Sequence, residues 1–181
     1  MKRIALVLVI LISIVGCESR KVVTPTRERP TVNIPLSLRQ SNWRGSEGEG
    51  SCVHAAMISL FRWQGRANTA ERWLRTYGGG EWPDDMASKL NRDGIRFASC
   101  ENGDVKFLEW ACRTRRGCGI TIMGGAHMVT LVHLDAKWAA ILDNNRVGQF
   151  IWIPRETLIA EWQASFGWAI TPVYSPAAPL P

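Results

Sequence analysis

The sequence predicts an α+β protein in which helices come first and an antiparallel sheet follows. Between residues 52 and 116, apolar side chains recur three and four positions apart, as on one face of a helix. From residue 119 the pattern changes to short apolar runs separated by turn residues, which is typical of strands. The 181 residues, 46% hydrophobic and 21% charged, suffice for one globular domain with a substantial core. Because the strands follow the helices rather than alternate with them, the pattern favours α+β.

Four helices are expected before the sheet. The first follows a glycine-rich loop at 46–50 and stops where Gly65 can supply a left-handed residue. Asn68 and Glu71 are spaced as a capping box for the second helix, a proline suits the first turn of the third, and Asp104 can cap the fourth. The predicted helices cover residues 52–64, 69–77, 83–94 and 104–116.

Five short strands and one further helix are expected after residue 117. Gly124 and Gly125 form a turn between the first two strands, and Asp135 opens a tight connection between the second and the third. The predicted strands cover residues 119–123, 127–134, 138–142, 149–153 and 168–173, and a helix opened by Pro154 runs to about residue 162.

The first 17 residues have the features of an export signal. Lys2 and Arg3 precede an apolar run over residues 4–15, which is too short to span a membrane as a helix. The run ends Ile-Val-Gly-Cys, which resembles the lipobox of bacterial lipoproteins. The resemblance implies that Cys17 is lipidated and becomes the mature N-terminus; an ordinary secretory signal with an incidental cysteine is the alternative.

The domain organisation and location follow from this signal. Residues 18–35 contain prolines and no apolar period, and they are predicted to form a solvated tether. Residues 36–173 are predicted to be the folded domain, and residues 174–181 a proline-rich tail. We therefore expect an exported protein held on a membrane of the bacterial cell envelope by its N-terminal lipid, with inner and outer membrane both open.

The charge of the chain argues against nucleic acid as a partner. The formal net charge is +6, and removal of Lys2 and Arg3 with the signal leaves about +4. No block of five like charges occurs. A mild, dispersed excess of this kind is not the basic patch that nucleic-acid binding requires.

Three residues are spaced for nucleophilic catalysis. Cys52 is expected at a helix N-terminus, where the helix dipole favours the thiolate. His127 opens one predicted strand, and Asp143 follows the next strand, sixteen residues later. Because antiparallel neighbours return to the same end of a hairpin, Asp143 is predicted to orient His127 while the other ring nitrogen faces Cys52. Asn144 is the alternative for the orienting role.

This order of residues resembles papain-like cysteine peptidases, with Cys at a helix start, Gly-Gly-x-His on a strand and Asp after the next strand. The segment from Gln40 through Cys52-Val-His-Ala-Ala-Met to Trp63-Gln64-Gly65 is most similar to the compact bacterial branch. That branch includes the peptidases that remove double-glycine leaders from bacteriocins. The resemblance implies a papain-like fold and a cysteine peptidase that acts on peptides or proteins without a cofactor.

The resemblance also implies a glutamine that helps to form the oxyanion hole, normally about six residues before the nucleophile. Position 46 is serine here, so Gln40 and Asn42 are the candidates for this donor. A second departure is Val53, which stands where the papain signature has Trp or Tyr.

Two other functions remain open. Peptidoglycan hydrolases of the CHAP and NlpC types share the order of cysteine and strand histidine, although Cys52 is not preceded by Asp or followed by Ser-Gly. A binding lipoprotein on a catalytically inactive form of the same fold is the alternative from another class. A metal site is not expected, because His54 and His133 are spaced away from Cys52 and His127 and no C-x-x-C pair occurs.

Cys112 and Cys118 are predicted to form a disulfide, which an exported domain permits. If Arg116 ends the fourth helix and Gly117 is its left-handed cap, Cys118 folds back onto the last turn, near Cys112. Cys100 precedes the same helix, about 18 Å from its far end, and is too distant to join either.

Overall fold

The computed structural model describes residues 29–43 and 50–176. These residues form five α-helices and a six-stranded antiparallel sheet, which confirms the α+β class. The predicted export signal with Cys17, residues 18–28 of the tether, residues 46–49 of the glycine-rich loop and residues 177–181 of the tail lie outside the described residues. No helix in the described part of the chain is long and apolar enough to cross a membrane.

The elements follow the predicted order with one additional strand. The helices are α1 (Cys52–Trp63), α2 (Ala67–Thr76), α3 (Pro83–Arg92), α4 (Val105–Arg113) and α5 (Arg155–Ala164). The strands are β1 (Phe97–Cys100), β2 (Cys118–Ile122), β3 (His127–Leu134), β4 (Trp138–Leu142), β5 (Ile151–Pro154) and β6 (Ala169–Pro172). The bounds of β3 and β4 are those predicted, and the others differ by one to three residues at an end.

The sheet has the order β1-β6-β2-β3-β4-β5, and every neighbouring pair is antiparallel. Successive residues of a strand face opposite sides of a sheet. Met128 of β3 accordingly packs in a cluster with α1, α2 and α3, whereas Val129 packs in a cluster with α4 and α5. The sheet is therefore covered by helices on both faces.

Strand β1 has no counterpart in the sequence prediction. Its four residues, Phe-Ala-Ser-Cys, are too few to show an alternating pattern. It forms because Phe97 and Cys100 pair with Pro172 and Ala169 of β6, far along the chain. Pairing with a distant strand, rather than a local signal, makes it a strand.

The predicted caps of two helices have different outcomes. Asp104 caps α4 as predicted, since its carboxylate accepts from the N–H of Lys106 at 3.0 Å. The capping box of α2 is wrong, because this helix begins at residue 67 with no side-chain cap. Glu71 instead forms an ion pair of 2.7 Å with Arg62 of α1, so a contact between helices replaces the local one.

The predicted disulfide between Cys112 and Cys118 is wrong, since both are free thiols. The prediction required α4 to continue to Arg116, but the helix ends at residue 113, and Arg115 takes the left-handed position with φ of 60°. The N–H groups of Arg115 and Arg116 donate to the carbonyls of Cys112 and Ala111. Arg116 thus takes the returning position of the helix ending, and Cys118 opens β2 instead.

The folded domain begins before the predicted boundary at residue 36. Val32 and Ile34 are fully buried in a cluster with Trp63 of α1. The N–H of Val32 donates to the carbonyl of Val132 in β3 at 2.8 Å. Residues 32–35 of the predicted tether therefore belong to the domain.

Candidate active site

Cys52 is the first residue of α1 and is 8% exposed. The residue before it, Ser51, is held by Asn42, whose Oδ1 accepts from the N–H of Ser51 at 2.9 Å and from its hydroxyl at 2.5 Å. The Ser51 hydroxyl oxygen accepts from the N–H of Trp43 at 2.9 Å. Residues 42 and 43 thus fix the start of the helix whose positive end lies at the Cys52 thiol.

His127 and Asp143 meet at one end of the hairpin formed by β3 and β4. His127 is the first residue of β3 and Asp143 directly follows β4, so strand pairing brings both to the same edge, as predicted. The Nε2 atom of His127 lies 3.0 Å from Oδ1 of Asp143, and both side chains are largely buried. With Nε2 engaged by the carboxylate, Nδ1 is the ring nitrogen available to the Cys52 thiol, whose pKa is lowered by its interaction with His127.

The electrostatics of the site favours a thiolate–imidazolium pair. Burial raises the pKa of the Cys52 thiol, but hydrogen bonds with His127 and with the backbone of Met128 and Val53 outweigh it, so the net pKa lies below the usual value. Burial lowers the pKa of His127, but its hydrogen bonds with Cys52 and Asp143 raise the net pKa above the usual value. The lowered pKa of the thiol and the raised pKa of the imidazole both favour the same thiolate–imidazolium pair.

The two oxyanion candidates lie in different places. Gln40 is turned away from the site, since its Nε2 donates to the carbonyl of Ser41 and its Oε1 accepts from Arg62. Asn42 lines the same cleft as Cys52, and its Nδ2 donates to Oδ1 of Asn145 at 3.2 Å. The geometry therefore supports Asn42 and not Gln40.

Asn144 is not the partner of His127. Its side chain is directed to the backbone, where Nδ2 donates to the carbonyl of Met128 at 2.8 Å and to that of Cys52 at 3.1 Å. The orienting contact with the imidazole is made by Asp143, so the alternative assignment to Asn144 is wrong.

Cys52 and His127 lie in the wall of a cleft with a volume of about 670 Å³. Trp82, Met123 and Phe166 line it, and each is more than 60% exposed. Of the large apolar side chains exposed to this degree among the described residues, Leu36 alone lies outside the cleft. Exposed apolar side chains gathered in one concave place indicate a binding surface.

One side of the cleft is formed by the turn between β2 and β3. Gly125 has a φ of 88°, and a Cβ built there would lie 2.4 Å from the Phe166 ring, so this ring rests directly on glycine backbone. The N–H of Gly124 donates to the hydroxyl of Ser165 at 2.9 Å, which fixes the turn to the end of α5. The glycines before His127 therefore allow an aromatic ring to approach the site.

The other two histidines lie outside the Cys52–His127 pair. His54 is fully buried, with Nδ1 at 3.1 Å from the carbonyl of Gly79 and its ring stacked on Tyr77. His133 lies at the far end of β3 and pairs with Asp135. Within residues 29–43 and 50–176, no group of three or more His, Cys, Asp or Glu side chains is arranged to hold a metal ion.

Sequence reasoning missed the aromatic residues of the cleft. Trp82 directly precedes Pro83 at the start of α3, and Phe166 directly precedes Gly167 after α5. An aromatic residue at a helix boundary, next to proline or glycine, is the signal that the sequence offered for these positions.

Comparisons of this chain with models of protein families, with curated proteins and with solved structures give no match.

Proposed function

We propose that this protein is a papain-like cysteine hydrolase that cleaves amide bonds in peptides. Cys52 is the nucleophile, His127 the general acid and base, and Asp143 the residue that orients His127. The observation that carries the proposal is that Cys52 and His127 lie in the wall of one cleft, while Asp143 hydrogen-bonds to Nε2 of His127. A nucleophile, a base and an orienting group in mutual contact are what covalent catalysis needs.

The reaction proceeds through an acyl-enzyme. The Cys52 thiolate attacks the carbonyl carbon and forms an S–C bond, and the His127 imidazolium donates its proton to the leaving nitrogen as the C–N bond breaks. The neutral imidazole then takes a proton from water, whose oxygen attacks the thioester. Breakage of the S–C bond releases the acid and restores the thiolate and the imidazolium, so substrate and water are sufficient and no cofactor is required.

The N-terminus of α1 supports the charge that develops on the carbonyl oxygen. The positive end of the helix dipole lies at Cys52, and donors placed where negative charge forms are a major source of rate enhancement. Asn42 is the side-chain donor in this proposal, because its amide lines the cleft next to Cys52. In this proposal its Nδ2 exchanges the bond with Oδ1 of Asn145 for one with the oxyanion.

The cleft supports a peptide with a bulky apolar side chain close to the scissile bond. Trp82, Met123 and Phe166 present apolar surface to this cleft, and Trp82 and Phe166 contact each other edge to face at 6.4 Å. Burying one apolar side chain of a substrate there contributes about 1.5–3 kcal/mol.

We also propose that this hydrolase acts outside the cytoplasm, on a membrane of the bacterial envelope, through lipid on Cys17. The lipobox-like ending of residues 14–17 supports this location. Replacing Cys17 with Ser should release a soluble form or block processing, as judged by membrane fractionation. Equal membrane retention of the Cys17→Ser variant would contradict the lipid anchor.

The experiment that tests the hydrolase is the rate of iodoacetamide labelling of Cys52 as a function of pH, from about pH 4 to about pH 9. We expect fast labelling of the wild type below the ordinary thiol range, and an ordinary, slow titration in His127→Ala. Cys100 is an internal control, because burial raises the pKa of this half-buried thiol. The same ordinary titration in both proteins would favour the binding lipoprotein. Digestion of apolar peptides and of muropeptides then distinguishes a peptidase from a peptidoglycan hydrolase.

A further inference from the structure

The Asn144 side chain hydrogen-bonds to the backbones of α1 and β3, the helix and the strand that carry Cys52 and His127. Asn144 is 3% exposed, and its Nδ2 donates to the carbonyl of Cys52 in α1 and to the carbonyl of Met128 in β3. One acceptor belongs to the proposed nucleophile, and the other to the residue that follows the proposed base. A single amide thus connects the helix and the strand where their side chains meet.

The register of the sheet explains why position 144 makes this connection. Thr130 of β3 pairs with Leu142 of β4, and this is the last pair on the side of the site. Asn144, two residues after Leu142, lies opposite Met128, two residues before Thr130, beyond the strand pairing. Its side-chain amide continues the hydrogen bonding between the two strands and extends it to α1.

The residues on either side of Asn144 reinforce the same arrangement. Asp143 holds the imidazole of His127, and Oδ1 of Asn145 accepts from Nδ2 of Asn42. The carbonyl of Asn144 accepts from the N–H of Asn42 at 2.8 Å. Asn42 in turn holds Ser51, the residue before Cys52. Residues 143–145 therefore contact His127 directly and the start of α1 through Asn42.

We propose that Asn144 is a positioning residue that fixes the separation of Cys52 and His127 by holding the backbone of α1 against that of β3. This inference rests on the proposed function. The strength of a thiolate–imidazolium contact depends on distance and alignment, so a shift of α1 relative to β3 weakens it. Oδ1 of Asn144 has no hydrogen-bond partner among the described residues, so its amide acts here as a donor of two N–H bonds.

Loss of any buried amide also destabilises the fold, so the test needs a matched control. Gln64 provides it at the other end of α1. It is 2% exposed, its Oε1 accepts from the N–H of Tyr174 at 2.9 Å, and its Nε2 lies 3.5 Å from the carbonyl of Arg116. Gln64→Ala removes a buried amide from the same helix without touching the site.

The experiment measures iodoacetamide labelling of Cys52 against pH, and the melting temperature, in the wild type, Asn144→Ala, Asn144→Asp, Asn144→Ser and Gln64→Ala. At about pH 6 we expect the labelling rate of Cys52 to fall about tenfold in the Ala and Asp variants, which corresponds to an upward shift of its labelling profile by one pH unit. Asp has the shape of Asn but cannot donate when ionised. Ser retains one donor and should recover part of the rate, and Gln64→Ala should keep the wild-type profile at a lower melting temperature.

The outcomes separate this inference from the proposed function. A wild-type profile in the Asn144 variants, with only their melting temperatures reduced, overturns the positioning role and leaves the hydrolase intact. An equal loss of labelling in Gln64→Ala overturns it too, because general destabilisation would then explain the effect. An ordinary thiol titration in the wild type itself overturns the hydrolase and with it the role of Asn144.

Discussion

Strand β3 carries a histidine–aspartate pair at each of its ends, and the two pairs have the same separation. Nε2 of His127 lies 3.0 Å from Asp143, and Nε2 of His133 lies 3.0 Å from Asp135. The partner of the other ring nitrogen differs. Nδ1 of His127 is the ring nitrogen available to the Cys52 thiol. Nδ1 of His133 instead lies 2.8 Å from the hydroxyl of Thr31 and accepts from the backbone N–H of Thr31 at 3.3 Å.

Under the proposed function only the first pair is catalytic, because a carboxylate that orients a histidine does not by itself supply a nucleophile. A thiol at a helix N-terminus ionises readily, whereas the hydroxyl of Thr31 is a poor nucleophile without further activation. The surroundings differ as well, because the side chain of Asp143 is 19% exposed and that of Asp135 is 47% exposed. The second pair fastens residues 29–35 to the sheet, and we regard it as structural.

The largest difference should appear when His127 and His133 are each replaced by alanine. His127→Ala should reduce peptide hydrolysis by about 10³-fold or more, as should Cys52→Ala, because each removes a group that reacts with the substrate. His133→Ala should retain turnover close to the wild type. Steady-state hydrolysis of an apolar peptide checks this, with circular dichroism as the control for folding. Equal losses in both histidine variants would contradict the distinction between the pairs.

Replacing the two aspartates should also impair turnover only at the first pair, by a smaller factor than replacing the histidines. Asp143→Ala should reduce turnover by roughly 10²-fold, because the imidazole loses its orienting acceptor. Asp143→Asn should cost much less, since an amide oxygen can still accept the bond from Nε2. Asp135→Ala should leave kcat unchanged. The ranking is checked by kcat for the three variants, and an Asp143→Asn variant as impaired as Asp143→Ala would argue against a purely orienting role.

The apolar cleft should matter for binding more than for chemistry. Trp82→Ala or Phe166→Ala should raise KM for a peptide with a bulky apolar side chain about tenfold, with little change in kcat, as expected for loss of about 1.4 kcal/mol. Leu36→Ala is the matched control, because Leu36 is similarly exposed and lies outside the cleft. KM values that stay unchanged in both aromatic variants would place the substrate elsewhere.

The smallest effect should appear in the acid stability that Asp135 provides. Burial raises the pKa of Asp135, but hydrogen bonds from the N–H of Trp138, from His133 and from the N–H of Lys137 outweigh it and lower the pKa to about 2. This stabilisation is present above the unfolded pKa of about 3.9 and disappears as the pH falls through about 2. Asp135→Asn should therefore melt at a slightly lower temperature near neutral pH, and the two melting curves should converge in acid. A constant difference at every pH would contradict this linkage.

The proposed site was more predictable than its surroundings. Cys52 at a helix start, His127 at a strand start and Asp143 after the next strand follow from local periodicity and from hairpin geometry, and the structure places all three as expected. Gln40 was a candidate because of its type and distance along the chain. Its amide is instead held by Ser41 and Arg62, contacts that no local pattern specifies.

The errors share a physical origin. β1 becomes a strand through pairing with β6, and Glu71 pairs with Arg62 rather than capping α2. α4 ends at Arg113, because the left-handed turn at Arg115 is held by the rest of the fold. The carbonyl of Arg115 accepts from Nε1 of Trp63 at 2.7 Å, a contact between residues far apart in the chain. A left-handed arginine costs energy that such a contact offsets, and the glycine two residues later gave the wrong position for the helix end.

The amino-acid sequence alone determined the order of the five helices and of five of the six strands, the start of α1 and the β3–β4 hairpin, because hydrophobic periodicity and turn residues act over a few positions. Folding in three dimensions determined the rest: the aromatic cleft of Trp82 and Phe166, the position of Asn42 but not Gln40 in its wall, and the amide of Asn144 between α1 and β3. These features join residues that lie far apart in the chain. Their energies depend on how whole elements pack, and packing leaves no periodic trace in a single sequence.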